Sequence, residues 1–283
     1  MDRIYVQIPA YRDRELGPTL RDLYAKAAKA DRLRVRVVWQ HAPEEAFPIG
    51  PYPGLEIDAV PHDQSQGCNW ARSRLQASWN GEPYSLLLDS HHRFVVGWDT
   101  VLLSMYEGLR ASGVPKPLIT SYLPSYEPDR EPGGRRKRPY KIYPLGRERG
   151  LLTKLTSHPI MNWKALPGPI PADFLSLHLI FTAGAFNAEV PFDPKIYFFG
   201  DEVLTGVRAF TCGYDLFHPH VVVGWHCYDR GSRTPHWDDH PEWADQHRRS
   251  LDRMRNVLRA GLGKARSLAD YEDLIALSLI EPT

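Results

Sequence analysis

Asp89-Ser90-His91 sets a carboxylate and an imidazole two positions apart, directly after the apolar run Ser85-Leu86-Leu87-Leu88. Where a chain turns at the end of a strand, both groups can reach one cation. A mixed oxygen and nitrogen donor set suits Mn²⁺ or Mg²⁺, with substrate phosphates completing the shell. An Asp-x-His pair by itself describes a helix cap or a surface histidine equally well, so the assignment needs a third ligand. Val221-Val222-Val223-Gly224-Trp225 leads to His226, a second strand-end imidazole able to approach the same edge of a sheet. Among 12 histidines it ranks above His92, His218, His220, His236 and His240.

Three further groups carry chemistry. In Phe198-Phe199-Gly200-Asp201-Glu202 a glycine precedes two carboxylates at a helix start. They read as caps stabilised by the helix dipole, or as the groups that face an acceptor hydroxyl and hold it or take its proton, Glu202 before Asp201. The segment Ile8-Pro9-Ala10-Tyr11-Arg12-Asp13 is a short polar turn with an aromatic ring, suited to a nucleobase and ribose. Arg72 and Arg74 precede the Asp89 strand on one helix. They point in different directions, so at most one faces the site, where it would fork onto a phosphate or anchor Asp89. Arg230, after Asp229, is placed to neutralise a leaving diphosphate, or forms a surface ion pair.

These residues need a scaffold. Residues 3–8, 34–39 and 55–60 read as strands, and Gly17-Pro18 opens a helix whose stripe is Leu20, Leu23, Tyr24, Ala27 and Ala28. Asn69 is a candidate cap for a helix over 70–79. The unbroken run before Asp89 is that of a central strand covered on both faces. An amphipathic helix from Trp98 to Arg110 and a strand at 117–122 follow. This β-α-β order predicts an open, mostly parallel α/β sheet flanked by helices, with ligands at the carboxyl ends of its strands. Residues 124–150 are rich in Pro, Gly and Arg and read as a surface insertion, extended to 158 as a segment. Beyond it come strand pieces at 160–163 and 175–182, a helix over 200–212 stopped by Gly213, and strand-turn-strand over 214–225. Helices follow over 241–260 and from Ser267. The chain is expected to be one domain, 1–123 forming a nucleotide-binding half and 159–283 an acceptor-side half.

Composition narrows the function. Lys and Arg number 35 and Asp and Glu 34, so no global field calls for nucleic acid. No apolar run reaches the roughly 18 residues of a membrane span. There is no leader-like segment, and three scattered cysteines (Cys68, Cys212, Cys227) make no disulfide framework, which leads to an expected cytoplasmic location with no membrane anchor. The absence of GxGxxG and of a Gly-rich Lys-Ser/Thr loop disfavours a dinucleotide oxidoreductase and a P-loop NTPase.

The stretches QIPAYRDRELGPTLRDLYAKA, QGCNWARSRLQASWNGEPYSLLLDSHHRFVVGWD, EVPFDPKIYFFGDEVLTGVRAFTCGYDLFHPHVVVGWHCYDR and GLGKARSLADYEDL occur in that order over most of the chain. In them the sequence resembles the soluble polypeptide-hydroxyproline α-N-acetylglucosaminyltransferases and their bacterial relatives. The resemblance implies a GT-A-type Rossmann-like fold, a divalent metal, and a UDP-sugar donor of which UDP-GlcNAc is the prototype. It implies Asp89, His91 and His226 as metal ligands, and Pro9, Ala10, Tyr11, Arg12 and Asp13 around the nucleotide. Arg72, Asp89 and Ser90 join the donor side, and Asp201 and Glu202 the acceptor side. It also implies retention of anomeric configuration. The expected activity is transfer of GlcNAc or a similar hexose to a hydroxyl on a peptide, protein or small molecule, with Arg230 on the leaving group and Trp237 in a lid. The alternatives are a metal-dependent hydrolase, which lacks an HExxH or clustered His-x-His here, and a nucleotide-sugar-binding module without catalysis.

Overall fold

Alternation brings the first strand into register. Ile4–Tyr11 (β1) buries nearly every side chain, because helices cover both faces of the sheet it joins. The computed structural model describes residues 2–48, 50–231 and 233–281. In chain order the elements are β1, α1 (Leu16–Lys26), β2 (Leu33–His41), β3 (Leu55–Pro61), α2 (Cys68–Gln76), β4 (Tyr84–Leu88), β5 (His92–Phe94), α3 (Trp98–Ala111) and β6 (Pro117–Thr120). Then come β7 (Tyr140–Glu148), β8 (Leu151–Pro159), β9 (Ile170–Pro171), β10 (Leu179–Ala183), α4 (Phe186–Glu189), α5 (Asp201–Thr211), β11 (Asp215–His218), β12 (Gly224–His226), α6 (His236–Asp239), α7 (Trp243–Ala260) and α8 (Leu268–Ile275).

The central sheet has the order β3-β2-β1-β4-β10-β6-β11-β9. The first four strands are mutually parallel, and so are β6 and β11. This is the expected mostly parallel sheet, interrupted by β10, which runs antiparallel between β4 and β6. One core lies between the sheet and α1 and α3, built on Leu20, Leu23, Leu86, Leu88, Trp98 and Phe181. Each such fully buried side chain contributes about 1.5–3 kcal/mol relative to exposure. No helix among the described residues is long and apolar enough to cross a membrane.

Several boundaries differ from the sequence reading. α2 starts at Cys68, not at a cap on Asn69, because Gly67 at φ +105° supplies the N-cap. A Cβ on Gly67 would sit 3.1 Å from the Tyr197 ring. α1 ends at Lys26, so Ala27 is its C-cap and Ala28 leaves the stripe. The backbone N–H of Ala28 donates to Asp99 instead. Residues 160–163 are not a strand, and the piece read as 175–182 pairs only from Leu179. Within the range read as an insertion, β7 and β8 form an antiparallel hairpin. Ile142, Leu151 and Leu152 pack it into a second core with α5, α7 and α8. Its alternation was hidden because the register shifts around Pro144, Gly146 and Arg147.

Candidate functional site

β4 ends at Leu88, and the next three residues turn before β5 begins. β5 pairs antiparallel with β12, which sets His226 opposite His92. The late histidine therefore arrives on a separate two-stranded ribbon, whose strand begins only at Gly224. His91 Nε2 and His226 Nε2 lie 3.0 Å apart. Asp89 Oδ2 is 3.3 Å from His226 Nε2 and 4.0 Å from His91 Nε2.

These spacings fit a cation. Metal–ligand bonds of about 2.1 Å at right angles place donor atoms about 3 Å apart. The donor chemistry agrees. Asp13 Oδ2 accepts a 2.6 Å hydrogen bond from His91 Nδ1–H, which leaves the lone pair on Nε2 facing the cluster. All of the polar contacts of His226 are on its Nε2 side, and its buried Nδ1 has no partner among the described residues. Burial holds the pKa of His226 well below the ordinary imidazole value, so the ring is neutral. Burial opposes ionisation of Asp89, but its contact with His226 and the other imidazoles around it outweigh burial and hold the carboxyl well below the usual range. Asp89, His91 and His226 thus bring one anionic oxygen and two nitrogens within reach of a common point, a donor set that could hold a Mn²⁺-like ion.

β1 continues to Tyr11, so Pro9 and Tyr11 share the face that lines the cleft; Asp13 also reaches the cleft, after a bend at Arg12 with φ +43°. Ala10 is buried, and its carbonyl accepts from Gln40. Arg12 swings away to a two-oxygen contact with Asp239, 3.0 Å to each. Neither Ala10 nor Arg12 lines the cleft. The Asp13 side chain is only 1% exposed, spent on His91 and on Ser90, whose Oγ donates to it at 2.6 Å. The Asp13 carboxylate is therefore engaged within the protein, where it holds the imidazole.

Arg72 and Arg74 part as their spacing on α2 requires. Arg74 pairs with Asp58 at the surface. Arg72 is buried, with Nη1 2.8 Å from Asp201 and Nη2 3.7 Å from Asp89. Asp201 also accepts from Asn69, so its carboxylate is committed within the protein. Gly200 lets α5 begin there: its φ is +89°, and a Cβ would lie 2.4 Å from the Met254 methyl. Glu202 accepts from Leu177 N–H at 2.9 Å and from the Tyr122 hydroxyl. Burial, reinforced by the charge of Asp201, raises the Glu202 pKa to about 7.

His178, Tyr122 and Arg233 line the cleft and escaped the sequence reading. His178 stacks on His226, with centroids 3.9 Å apart and planes 5° apart, and Tyr122 stacks on His178. His178 immediately precedes β10, whose antiparallel register places Leu179 opposite Leu88, the neighbour of Asp89. The only sequence signal was its position before a strand. Burial lowers its pKa to about 4. The segment after His226 wraps the opposite wall. Arg230 lines the cleft with its guanidinium 5.3 Å from the Trp237 ring, and Arg233 and Trp237 line it too. His236 ties the segment down through Ser65 at 3.0 Å and Tyr197 at 2.8 Å. The cleft encloses about 560 Å³, within the range of small-ligand sites.

Solved structures with this architecture are GT-A glycosyltransferases. GalNAc-T7, crystallised with UDP, GalNAc and Mn²⁺, superposes with a TM-score of 0.61 at 12% identity, over 97% of this chain and 56% of that one. TarS of S. aureus, residues 1–349, gives 0.57 at 10% identity, over 97% and 69%. The same protein in complex with UDP-GlcNAc gives 0.56 at 10%, over 97% and 70%. The chain thus spans little more than half of the first of these. No curated protein sequence matches it. The fold of this chain is the GT-A type. The family model Glycosyltransferase (GlcNAc) matches residues 3–52 and 54–279, and the chain belongs to that family.

Proposed function

We propose that the protein transfers a sugar, GlcNAc or a related hexose, from a UDP-sugar to a hydroxyl acceptor, and that a divalent cation held by Asp89, His91 and His226 is required. The observation that carries this reading is the meeting of one carboxylate and two imidazoles in the cleft, with the His91 tautomer set by Asp13. Family membership, and the UDP and UDP-GlcNAc of the structurally similar proteins, support the donor class.

When bound, the cation supplies positive charge to the donor's diphosphate. The chain's own residues do the rest. Arg230 and Arg233 face the same cleft and add positive charge to the departing phosphate oxygens. Pro9 and Tyr11 form a wall for the nucleoside, and Trp237 closes over the donor. Ser90 and Arg72 hold the Asp89 turn in place from opposite sides, through Asp13 and through Asp201. Glu202, whose pKa near 7 keeps a proton exchangeable at neutral pH, orients the acceptor hydroxyl or receives its proton.

Retention of configuration is carried over from the sequence resemblance, and proton NMR of the first-formed product tests it. The reading of 1–123 and 159–283 as nucleotide and acceptor halves of one domain is carried over from the sequence. The three free thiols agree with a cytoplasmic setting. The deciding experiment is a screen of nucleotide sugars by released UDP with and without Mn²⁺. Metal-dependent release from one UDP-sugar is expected, and no release from any donor would sink the proposal.

A further inference from the structure

Charge is strongly segregated along this chain. Residues 135–164 hold nine Lys or Arg and one acidic residue, Glu148, a net +8. The whole chain carries +1, so the remainder carries −7. Part of the excess is neutralised: Arg135 pairs with Glu131, Lys141 with Asp173 and Arg147 with Glu281. Arg136, Lys137, Arg138 and Lys164 are exposed and have no carboxylate partner among the described residues. Arg138 rests on the Met161 sulfur, and the Lys164 ammonium sits 5.6 Å from the centre of the Trp163 ring.

The hairpin connects this patch to the cleft. Thr153, Lys154 and Leu155 of β8 line the cleft wall beside Phe199 and Glu202. The far end of the same strand, Pro159, pairs with Tyr140, and the depression between Lys137–Arg138 and Met161–Ala165 lies just beyond. Five strand steps from Lys154 to Pro159 span about 17 Å. That is the reach of an extended chain of about five residues.

We propose that the Arg136–Arg138 and Lys164 ridge is a docking site, outside the cleft, for acidic side chains of a peptide acceptor, placed about five residues from the hydroxyl that enters the cleft. This rests on the transferase reading and adds a charge requirement to it. The cations provide the charge complement. Leu145 and Met161, 66% and 71% exposed, lie along the same path and provide apolar contacts that suit side chains. A bare phosphate polymer would leave them unused. Trp163 is half-buried in the wall of the depression and does not project to enter a bilayer.

The test uses the full chain and labelled synthetic peptides with a central Thr, flanked at that spacing by Glu, Gln or Lys. Fluorescence anisotropy compares the wild type with a variant carrying Arg136→Glu, Arg138→Glu and Lys164→Glu. Inorganic polyphosphate and phosphatidylserine vesicles serve as competing probes. The Glu peptide is expected to bind most tightly, to weaken as salt is added, and to lose roughly tenfold or more in the variant. UDP binding in the presence of Mn²⁺ is expected to stay unchanged in that variant, which also shows that it is folded. Equal binding of the three peptides, or full binding by the variant, overturns the proposal. So does preference for polyphosphate or vesicles over the Glu peptide. Failure of the wild type to bind UDP would instead remove the donor reading and is separately visible.

Discussion

Asp13 and His91, seventy-eight residues apart, are joined by a 2.6 Å hydrogen bond from imidazole Nδ1–H to carboxylate Oδ2. The bond selects the tautomer that turns the other nitrogen toward Asp89 and His226. Removing a carboxylate that orients a ligating histidine weakens metal binding by roughly 10–100-fold. Asp13→Ala is therefore expected to lower Mn²⁺ affinity by that factor while the fold persists. Calorimetric titration with Mn²⁺ reads it, and wild-type affinity in the variant would remove Asp13 from the site.

Asp89→Ala takes away the one anionic ligand. UDP-sugar hydrolysis and transfer should both vanish, and full activity in that variant would defeat the mechanism. His226→Ala should weaken metal and UDP binding together. Loss of turnover with donor affinity intact would argue instead for a role of His226 at the acceptor.

Glu202 gives a pH signature. Its carboxyl is held up to about 7 by burial and by Asp201. As the group that accepts the acceptor proton, it works when ionised, so transfer should fall as pH drops below about 7. The hydrogen bond from Tyr122 favours the charged form. Tyr122→Phe should therefore move the acid limb to higher pH, and Glu202→Gln should remove it along with most of the transfer rate. An unchanged acid limb in Glu202→Gln would assign the ionisation to another group. The readout is kcat/KM for transfer across pH 5 to 9, roughly the span over which a group of this pKa titrates.

Gly200 is where the acidic pair depends on backbone freedom. Alanine there must adopt φ near +89° and push the Met254 side chain away. Gly200→Ala should cost about 1–3 kcal/mol. Thermal unfolding should show a lower Tm, and transfer should weaken as Asp201 and Glu202 move. An unchanged Tm would mean that α5 can start in another way.

Ser85 to His91 announced the site because every feature of it is local. A covered strand needs an unbroken apolar run, and the residues just past its carboxyl end face the ligand crevice. The amphipathic helices at 98–111 and 243–260 were legible for the same reason: each shows its own period. The hairpin at 140–159 was not, since Pro144 and Gly146 break its alternation and its buried face is set by α5 and α7.

By itself the sequence determined the strand that ends just before Asp89, the Asp-x-His spacing and the glycine before Asp201 and Glu202. Only the tertiary structure decided which distant groups complete them. His178 reaches the site because β10 runs antiparallel beside β4, and His226 because β12 pairs with β5. Asp13 turns inward because the chain bends at Arg12, whose φ is +43°, and Ser90 and His91 hold the carboxylate there. Pairing direction and register are long-range choices of the sheet, and a single strand's side-chain pattern does not encode its neighbour.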